Sequence, residues 1–84
     1  MTYAVAILRR AQREIATIPT TSLPRIRDAI RSLGGEPRPT GCRKLAGREG
    51  WRIRVGDYRV IYEIDDDERV VTILHVGHRR DIYR

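Results

Sequence analysis

Two stretches of the chain are apolar almost throughout. Tyr3 to Leu8 (YAVAIL) lies near the N-terminus, and Val70 to Val76 (VVTILHV) is rich in β-branched residues. Runs of this length predict strands, and the composition of the second is typical of a strand buried on both faces. We therefore expect a largely buried first strand, and a central strand near the end of the chain.

Between these runs, apolar residues recur at the three- and four-residue spacing of amphipathic helices. The first helix is predicted over Arg9 to Ile18, where Pro19 stops it. The second follows Thr20-Thr21-Ser22, whose hydroxyls are suited to cap it, carries Pro24 in its first turn and ends at Gly34-Gly35. The apolar positions of the two helices are Ala11, Ile15, Ile18, Leu23, Ile26, Ile30 and Leu33. They predict a helical hairpin over one face of a sheet.

Apolar and basic residues alternate from Trp51 to Ile64 (WRIRVGDYRVIYEI) around Gly56-Asp57. A two-residue loop with glycine first is typical of a type II′ β-hairpin. The resulting pairs are Val55 with Tyr58, Ile53 with Val60 and Trp51 with Tyr62 on one face, and Arg54 with Arg59 and Arg52 with Ile61 on the other. The first face is suited to the core. The arginines should therefore lie on the side of the sheet that the helices leave open.

Two arginines directly opposite each other destabilise a sheet unless something neutralises them. One interpretation is that the guanidinium groups of Arg54 and Arg59 extend into water on a solvated face. The other is that an anion lies between them and removes the repulsion. The hairpin pattern alone leaves both interpretations open.

The remaining segments complete the order of elements. Glu36 to Gly41 is predicted as a loop, Arg43 to Ala46 as a short strand, and the acidic Glu63 to Glu68 as the connection to the central strand. The order β-α-α-β-β-β-β predicts an α+β fold, with an N-terminal strand and a two-helix hairpin packed on one face of a mainly antiparallel four- to five-stranded sheet. Since composition does not change along the 84 residues, we expect a single domain over 1–84.

Charge divides the chain into an acidic segment and a basic remainder. The net charge is +6, from seventeen basic and eleven acidic residues, yet Glu63 to Glu68 holds five of the acids and no base. Sixteen of the bases are arginine, whose planar guanidinium binds phosphate through paired hydrogen bonds and keeps its proton near neutral pH. This surface favours a phosphate backbone or an acidic protein as partner.

The composition argues against several classes of protein. No apolar run approaches the roughly 18 residues of a membrane span, and charges follow the first apolar segment where a secretory signal would have them precede it. We expect a cytoplasmic protein that does not contact a membrane. Cys42 is the only cysteine, and His75 and His78 are the only histidines, so neither a disulfide nor a metal site is expected. Asp65 to Asp67 lack the spacing of a calcium loop, and no cofactor is expected.

Three patterns resemble the RelE/ParE toxin superfamily of bacterial toxin–antitoxin modules. They are a segment close to P-x-x-G-C-R-K-L-x-G at Pro39 to Gly47, WRIRVGDYRVIY from Trp51 to Tyr62, and VGHRRDIYR from Val76 to Arg84. The resemblance covers essentially the whole chain and implies the RelE-like fold, which is similar to that of microbial ribonucleases. RelE-like members cut mRNA in the ribosomal A site, whereas ParE-like members poison DNA gyrase on the same fold.

The resemblance also implies catalytic roles. In the RelE-like reaction a ribose 2′-hydroxyl attacks the adjacent phosphate, which requires a base, an acid and cations that stabilise the added charge. Arg59 and Arg79 match the two arginines that bind the reacting phosphate, and Tyr83 matches the tail tyrosine that stacks on a base or transfers a proton. His78 titrates in the useful range and is a candidate acid for the 5′-oxygen. The plainer interpretation is that these are solvated residues of a basic surface and a tail tyrosine that packs on the sheet.

Arg52 and Arg54 occupy positions where well-studied RelE-like enzymes carry lysines. Arginine can orient and neutralise a phosphate but can hardly act as a base, so Tyr83 or His78 must supply proton transfer. Further cations, which either extend the phosphate-binding surface or protect a solvated edge, are Arg43, Lys44 and Arg80. Trp51 and His75 are expected in the core.

Our leading hypothesis is a toxin of a type II toxin–antitoxin pair that cuts mRNA on the ribosome without a metal. The alternatives are a non-catalytic inhibitor of DNA gyrase and an inactive nucleic-acid-binding module. Either toxin would have a cognate antitoxin as partner, whose acidic disordered segment orders on binding. The implied targets are the ribosome with mRNA in its A site, or gyrase.

Overall fold

The computed structural model describes residues 2–78 and residue 80, and contains two helices and five strands. The strands form one sheet in the order β1-β5-β4-β3-β2, in which β1 runs parallel to β5 and the other neighbours are antiparallel. The elements are β1 (Ala4–Ile7), α1 (Arg9–Ala16), α2 (Leu23–Ser32), β2 (Arg43–Lys44), β3 (Trp51–Val55), β4 (Tyr58–Asp65) and β5 (Val70–His78). The predicted α+β fold is confirmed.

Both helices pack their apolar stripes onto the sheet. Ala11 and Ile18 from the α1 side and Ile26, Ile30 and Leu33 from the α2 side are buried in one core cluster with residues of β3, β4 and β5. The Ser22 hydroxyl does not cap α2, contrary to expectation, because Ser22 already has helical backbone angles (φ −100°, ψ −21°) instead of the extended ones a capping residue adopts. No helix in residues 2–78 is long and apolar enough to cross a membrane.

The hairpin of β3 and β4 has the register that the sequence predicts. Gly56 has a positive φ of 60° and Asp57 does not, as a type II′ turn requires. All five predicted pairs are present, including Arg54 with Arg59 and Arg52 with Ile61. The core face and the arginine-bearing face of the hairpin are therefore assigned as expected.

Strand β5 is an interior strand between β1 and β4, but it is not the central strand buried on both faces that the sequence predicts, because β4 is the middle strand and alternate residues of β5 are only partly buried. It runs to His78, two residues beyond the prediction. A bulge interrupts its pairing with β4, since Tyr62 pairs with Ile73 while the preceding Ile61 pairs with His75. Leu74 is the extra residue. Beyond it, Val76 pairs with Val60 on the core side, and Gly77 pairs with Arg59 on the other.

The first strand is not largely buried, contrary to expectation. Side chains of a strand alternate between the two faces of the sheet, and β1 turns Ala4 and Ala6 to the face that the helices leave open, where they are exposed. The acidic segment also differs from the expected loop, because β4 continues to Asp65. In the turn that follows, Asp66 accepts hydrogen bonds from Arg38 and from the Tyr3 hydroxyl, and thereby ties the turn to two other parts of the chain.

Candidate functional site

Arg59 lies in the middle of the sheet, on the face away from the helices. Its side chain is only 7% exposed, and its Nε has no hydrogen-bond partner in residues 2–78 and 80. Strand β3 places Arg54 directly opposite it, and on its other side β5 presents Gly77, which has no side chain. Among the described residues, Arg59 thus has a second arginine as its neighbour on one strand and a residue without a side chain as its neighbour on the other.

This environment is costly for a cation. Removing a charged group from water costs several kcal/mol unless a partner of opposite charge and hydrogen bonds compensate, and a like charge directly opposite adds to the cost. An anion beside Arg59 would offset both terms. Because the Arg59 Nε is buried and has no partner in the part of the chain that the structure describes, it favours an anion between the two arginines over a solvated face.

Two further arginines share this face. Arg43 of β2 pairs with Arg52 of β3, and Arg52 pairs in turn with Ile61 of β4. Because paired residues point to the same side of a sheet, the four side chains lie in two neighbouring rows across three strands. We call Arg43, Arg52, Arg54 and Arg59 the arginine face. Its planar groups are suited to bind phosphate oxygens in pairs.

Lys44 was predicted with this set but lies on the opposite face. It pairs with Trp51, and its Nζ is 5.9 Å from the centre of the indole ring. Arg38 approaches the same ring, at 5.1 Å. Trp51 is half-buried against the core as expected, and these two cations pack against it.

His78 also lies away from Arg59. It pairs with Tyr58, on the side of the sheet that carries Val60, and the two rings meet edge to face with centroids 5.7 Å apart. Its Nδ1 accepts the backbone N–H of the exposed Arg80 at 3.2 Å. The candidate acid and the candidate phosphate-binding arginine are therefore on opposite faces of β4 and β5. The two tail candidates, Arg79 and Tyr83, lie outside the described residues.

Comparison with known proteins identifies the family to which this chain belongs. Residues 3–83 match the family described as the ParE toxin of the type II toxin–antitoxin system, parDE. The chain belongs to the RelE/ParE toxin superfamily. It is thus a toxin of the type II toxin–antitoxin class, as the three sequence patterns predict.

Individual relatives of this toxin span its whole length. Toxin RelG from Mycobacterium tuberculosis is 39% identical over 88 residues, which cover all of this chain and 99% of RelG. A putative toxin RelE1 from Methanocaldococcus jannaschii is 27% identical over 88 residues, covering all of this chain and 98% of the relative.

Solved structures show the same fold. A chain of the archaeal RelE–RelB complex from Pyrococcus horikoshii superimposes with a TM-score of 0.83 at 31% identity, covering 96% of this chain and 99% of that one. A chain of the toxin–antitoxin complex RelBE2 from Mycobacterium tuberculosis gives a TM-score of 0.82 at 30% identity, covering 94% of this chain and 100% of that one.

Several contacts in this toxin were not predicted. The Asp66 carboxylate accepts hydrogen bonds from Nη1 and Nη2 of Arg38 and from the Tyr3 hydroxyl. These bonds lower the pKa of its carboxyl to about 2. The only sequence signal for this contact is the position of Arg38 between two prolines, in a loop with few conformations. Within the described residues, no three His, Cys, Asp or Glu side chains come together as metal ligands would.

His75 is less buried than a core histidine. Its side chain is 22% exposed, and its Nδ1 lies 3.5 Å from the carboxylate of Glu14 on α1. The same carboxylate accepts the backbone N–H of Val76 at 2.9 Å. No pattern in the sequence points to Glu14, because it stands among polar residues on the outer side of an amphipathic helix.

Proposed function

We propose that this toxin is an endoribonuclease that cuts mRNA in the ribosomal A site, and that the arginine face holds the phosphate at the cut. The observation that carries the proposal is the buried Arg59, which pairs with Arg54 and with Gly77 and whose Nε has no hydrogen-bond partner among the described residues. The similarity to RelG and RelE toxins supports an RNA target. Action on ribosomes places the toxin in the cytoplasm.

The chemistry we propose needs no metal. The 2′-oxygen of a ribose forms a bond to the adjacent phosphorus as its proton leaves, and the bond from phosphorus to the 5′-oxygen breaks as that oxygen gains a proton. The products are a 2′,3′-cyclic phosphate and a free 5′-hydroxyl. Arg59 and Arg54 would stabilise the charge that builds up on the phosphate oxygens, from positions fixed by the sheet before the substrate arrives.

Proton transfer has to come from other residues, because arginine keeps its proton at neutral pH. Of the two candidates, the described geometry favours Tyr83 over His78, since His78 faces Tyr58 and not Arg59. Nearby arginines would favour the phenolate form of Tyr83. Arg79 and Tyr83 enter this proposal through the family resemblance alone.

A cognate antitoxin is the proposed protein partner. The similar chains from Pyrococcus horikoshii and Mycobacterium tuberculosis come from complexes with RelB antitoxins. A net charge of +6 and the exposed Arg43 and Arg54 of the arginine face suit a partner segment rich in acidic residues. Such a segment would be disordered alone and would order on the toxin.

Inhibition of DNA gyrase without catalysis is the second candidate, and the observation that favours it is the match to the ParE family over residues 3–83. The two candidates are separated by one pair of assays with purified toxin. Primer extension on mRNA in programmed ribosomes maps cuts, and a gyrase assay detects trapped cleavage complexes. Cuts within A-site codons support the enzyme. Trapped gyrase without RNA cuts would reject it and favour the second candidate.

A further inference from the structure

One side chain of α1 continues the hydrogen bonding of β5 where its strand neighbour ends. The ladder with β1 closes at Ile73, whose carbonyl accepts the Leu8 N–H at 3.1 Å. The bulge at Leu74 follows. Glu14 then accepts the N–H of Val76 at 2.9 Å, and its other oxygen lies 3.5 Å from Nδ1 of His75. The Glu14 carboxylate thus contacts the two residues that follow the bulge, through the backbone of Val76 and the side chain of His75.

The bulge determines which side chains of β5 face the arginines. Successive strand residues alternate between faces, so a shift of one residue exchanges the two sets. With the bulge at Leu74, Val76 enters the core opposite Val60, and Gly77 lies opposite Arg59. Without it, Val76 would pair with Arg59 in place of Gly77, and its side chain would point to the arginine face.

We propose that Glu14 is a positioning residue that fixes the register of β5 after the bulge and thereby keeps Gly77, and not the larger Val76, beside Arg59, where a phosphate would bind. Its role in the reaction rests on the proposed nuclease function, whereas its role in the register between β4 and β5 does not. Glu14 is suited to the task because its side chain is 35% exposed, so that one oxygen can stay hydrated while the other bonds the Val76 N–H.

The structure offers a conservative variant and a matched control. Glu14→Gln keeps an oxygen that accepts the Val76 N–H, whereas Glu14→Ala removes it. Gln12→Ala deletes another bond from an α1 side chain to a strand backbone, between Gln12 Nε2 and the Ile7 carbonyl at 2.9 Å. Gln12→Ala therefore reports on the general loss of such a bond, at the end of β1 and without removing a contact to His75 or Val76.

NMR tests directly which residues of β5 pair with Val60 and Arg59. Wild type, Gln12→Ala and Glu14→Gln should show cross-strand proton contacts of Val60 with Val76 and of Arg59 with Gly77. In Glu14→Ala we expect these contacts to weaken or shift by one residue, and exchange of the Val76 amide to accelerate at least about tenfold, as for a strand end that opens locally. Unchanged contacts and exchange in Glu14→Ala would overturn the proposal.

Single-turnover cleavage on programmed ribosomes tests the consequence for the reaction. Glu14→Ala should cleave mRNA about 10- to 100-fold more slowly than wild type, with KM nearly unchanged. A loss of this size is expected when groups near the reacting phosphate are misplaced by about 1 Å. Glu14→Gln should recover most of the rate, and Gln12→Ala should keep it even if its Tm falls equally. An equal loss in Gln12→Ala would reduce Glu14 to a general stabilising residue. If wild type does not cut RNA, the nuclease proposal fails. The NMR result still tests whether Glu14 fixes the register of β5 after the bulge.

Discussion

Arg54 and Arg59 face each other as a direct cross-strand pair, and Arg59 is buried to 93% with its Nε unpartnered among the described residues. A fold gains no stability from this arrangement. Burial holds the guanidinium in one place, and in our proposal an anion supplies the partner that its Nε lacks among the described residues.

Replacing Arg59 by methionine should separate stability from activity. Arg59→Met removes a buried charge but keeps a long side chain, so the free energy of unfolding should stay the same or rise by up to about 2 kcal/mol. RNA cleavage should be lost. Urea denaturation followed by Trp51 fluorescence measures the first effect. As a control, exposed Arg13→Met should change stability by less than about 0.5 kcal/mol. A loss of stability in Arg59→Met would mean that Arg59 serves the fold.

Inorganic phosphate should stabilise the free toxin through the same residue. Phosphate at ten times its dissociation constant adds about 1.4 kcal/mol. For a chain of this size that raises Tm by roughly 6 to 11 °C. Thermal denaturation in phosphate, against chloride of equal ionic strength, measures the shift. Arg59→Met should show no difference between the two salts, and an equal shift in both proteins would place the anion elsewhere.

The contact between Asp66 and Arg38 should make stability depend on pH in the acid range. The bonds from Arg38 and Tyr3 lower the pKa of Asp66 from 3.8 to about 2. The stabilisation is therefore complete above the unfolded pKa of about 4 and is lost as the pH falls toward 2. Wild type should be more stable than Asp66→Asn at pH 7, and the two should converge near pH 2. The neighbouring Asp67→Asn should track wild type, and a constant difference at all pH values would contradict this account.

Removing the Tyr62 hydroxyl should lower stability without lowering activity. The hydroxyl is buried and donates to the Pro37 carbonyl at 2.7 Å, and burial raises the pKa of the phenol. Tyr62→Phe leaves that carbonyl without its partner, at a cost of about 1 to 2 kcal/mol. Urea denaturation checks this loss. The cleavage rate should stay near that of wild type, because Tyr62 lies on the core face, and a large loss of rate would show that the loop at Pro37 takes part in the site.

Much of this fold follows from patterns of side-chain alternation. The Gly56-Asp57 turn fixes the register of β3 and β4, and with it the pairing of Arg54 with Arg59, since a two-residue turn leaves one choice of partners. The β-branched composition of Val70 to Val76 identifies β5 as a strand in the interior of the sheet, although β4 is the middle one. These features were predictable because they are local.

The missed features depend on contacts between distant parts of the chain. The bulge at Leu74 has no local signal, so alternation alone could not tell that His78 would face Tyr58 instead of Arg59. Burial of Arg59 was also unexpected, because charged strand residues usually reach water. The contact between Glu14 and Val76 joins residues 62 positions apart and appears only when α1 packs against β5.

The central claim is that Arg59 holds the reacting phosphate, and the single-turnover rate of mRNA cleavage in programmed ribosomes tests it most directly. We expect cuts in A-site codons by wild type and by Arg13→Met at equal rates. The rate for Arg59→Met should be at least about 100-fold lower, because one preorganised donor is removed from the site that binds the transition state. Wild-type rates in Arg59→Met would contradict the claim.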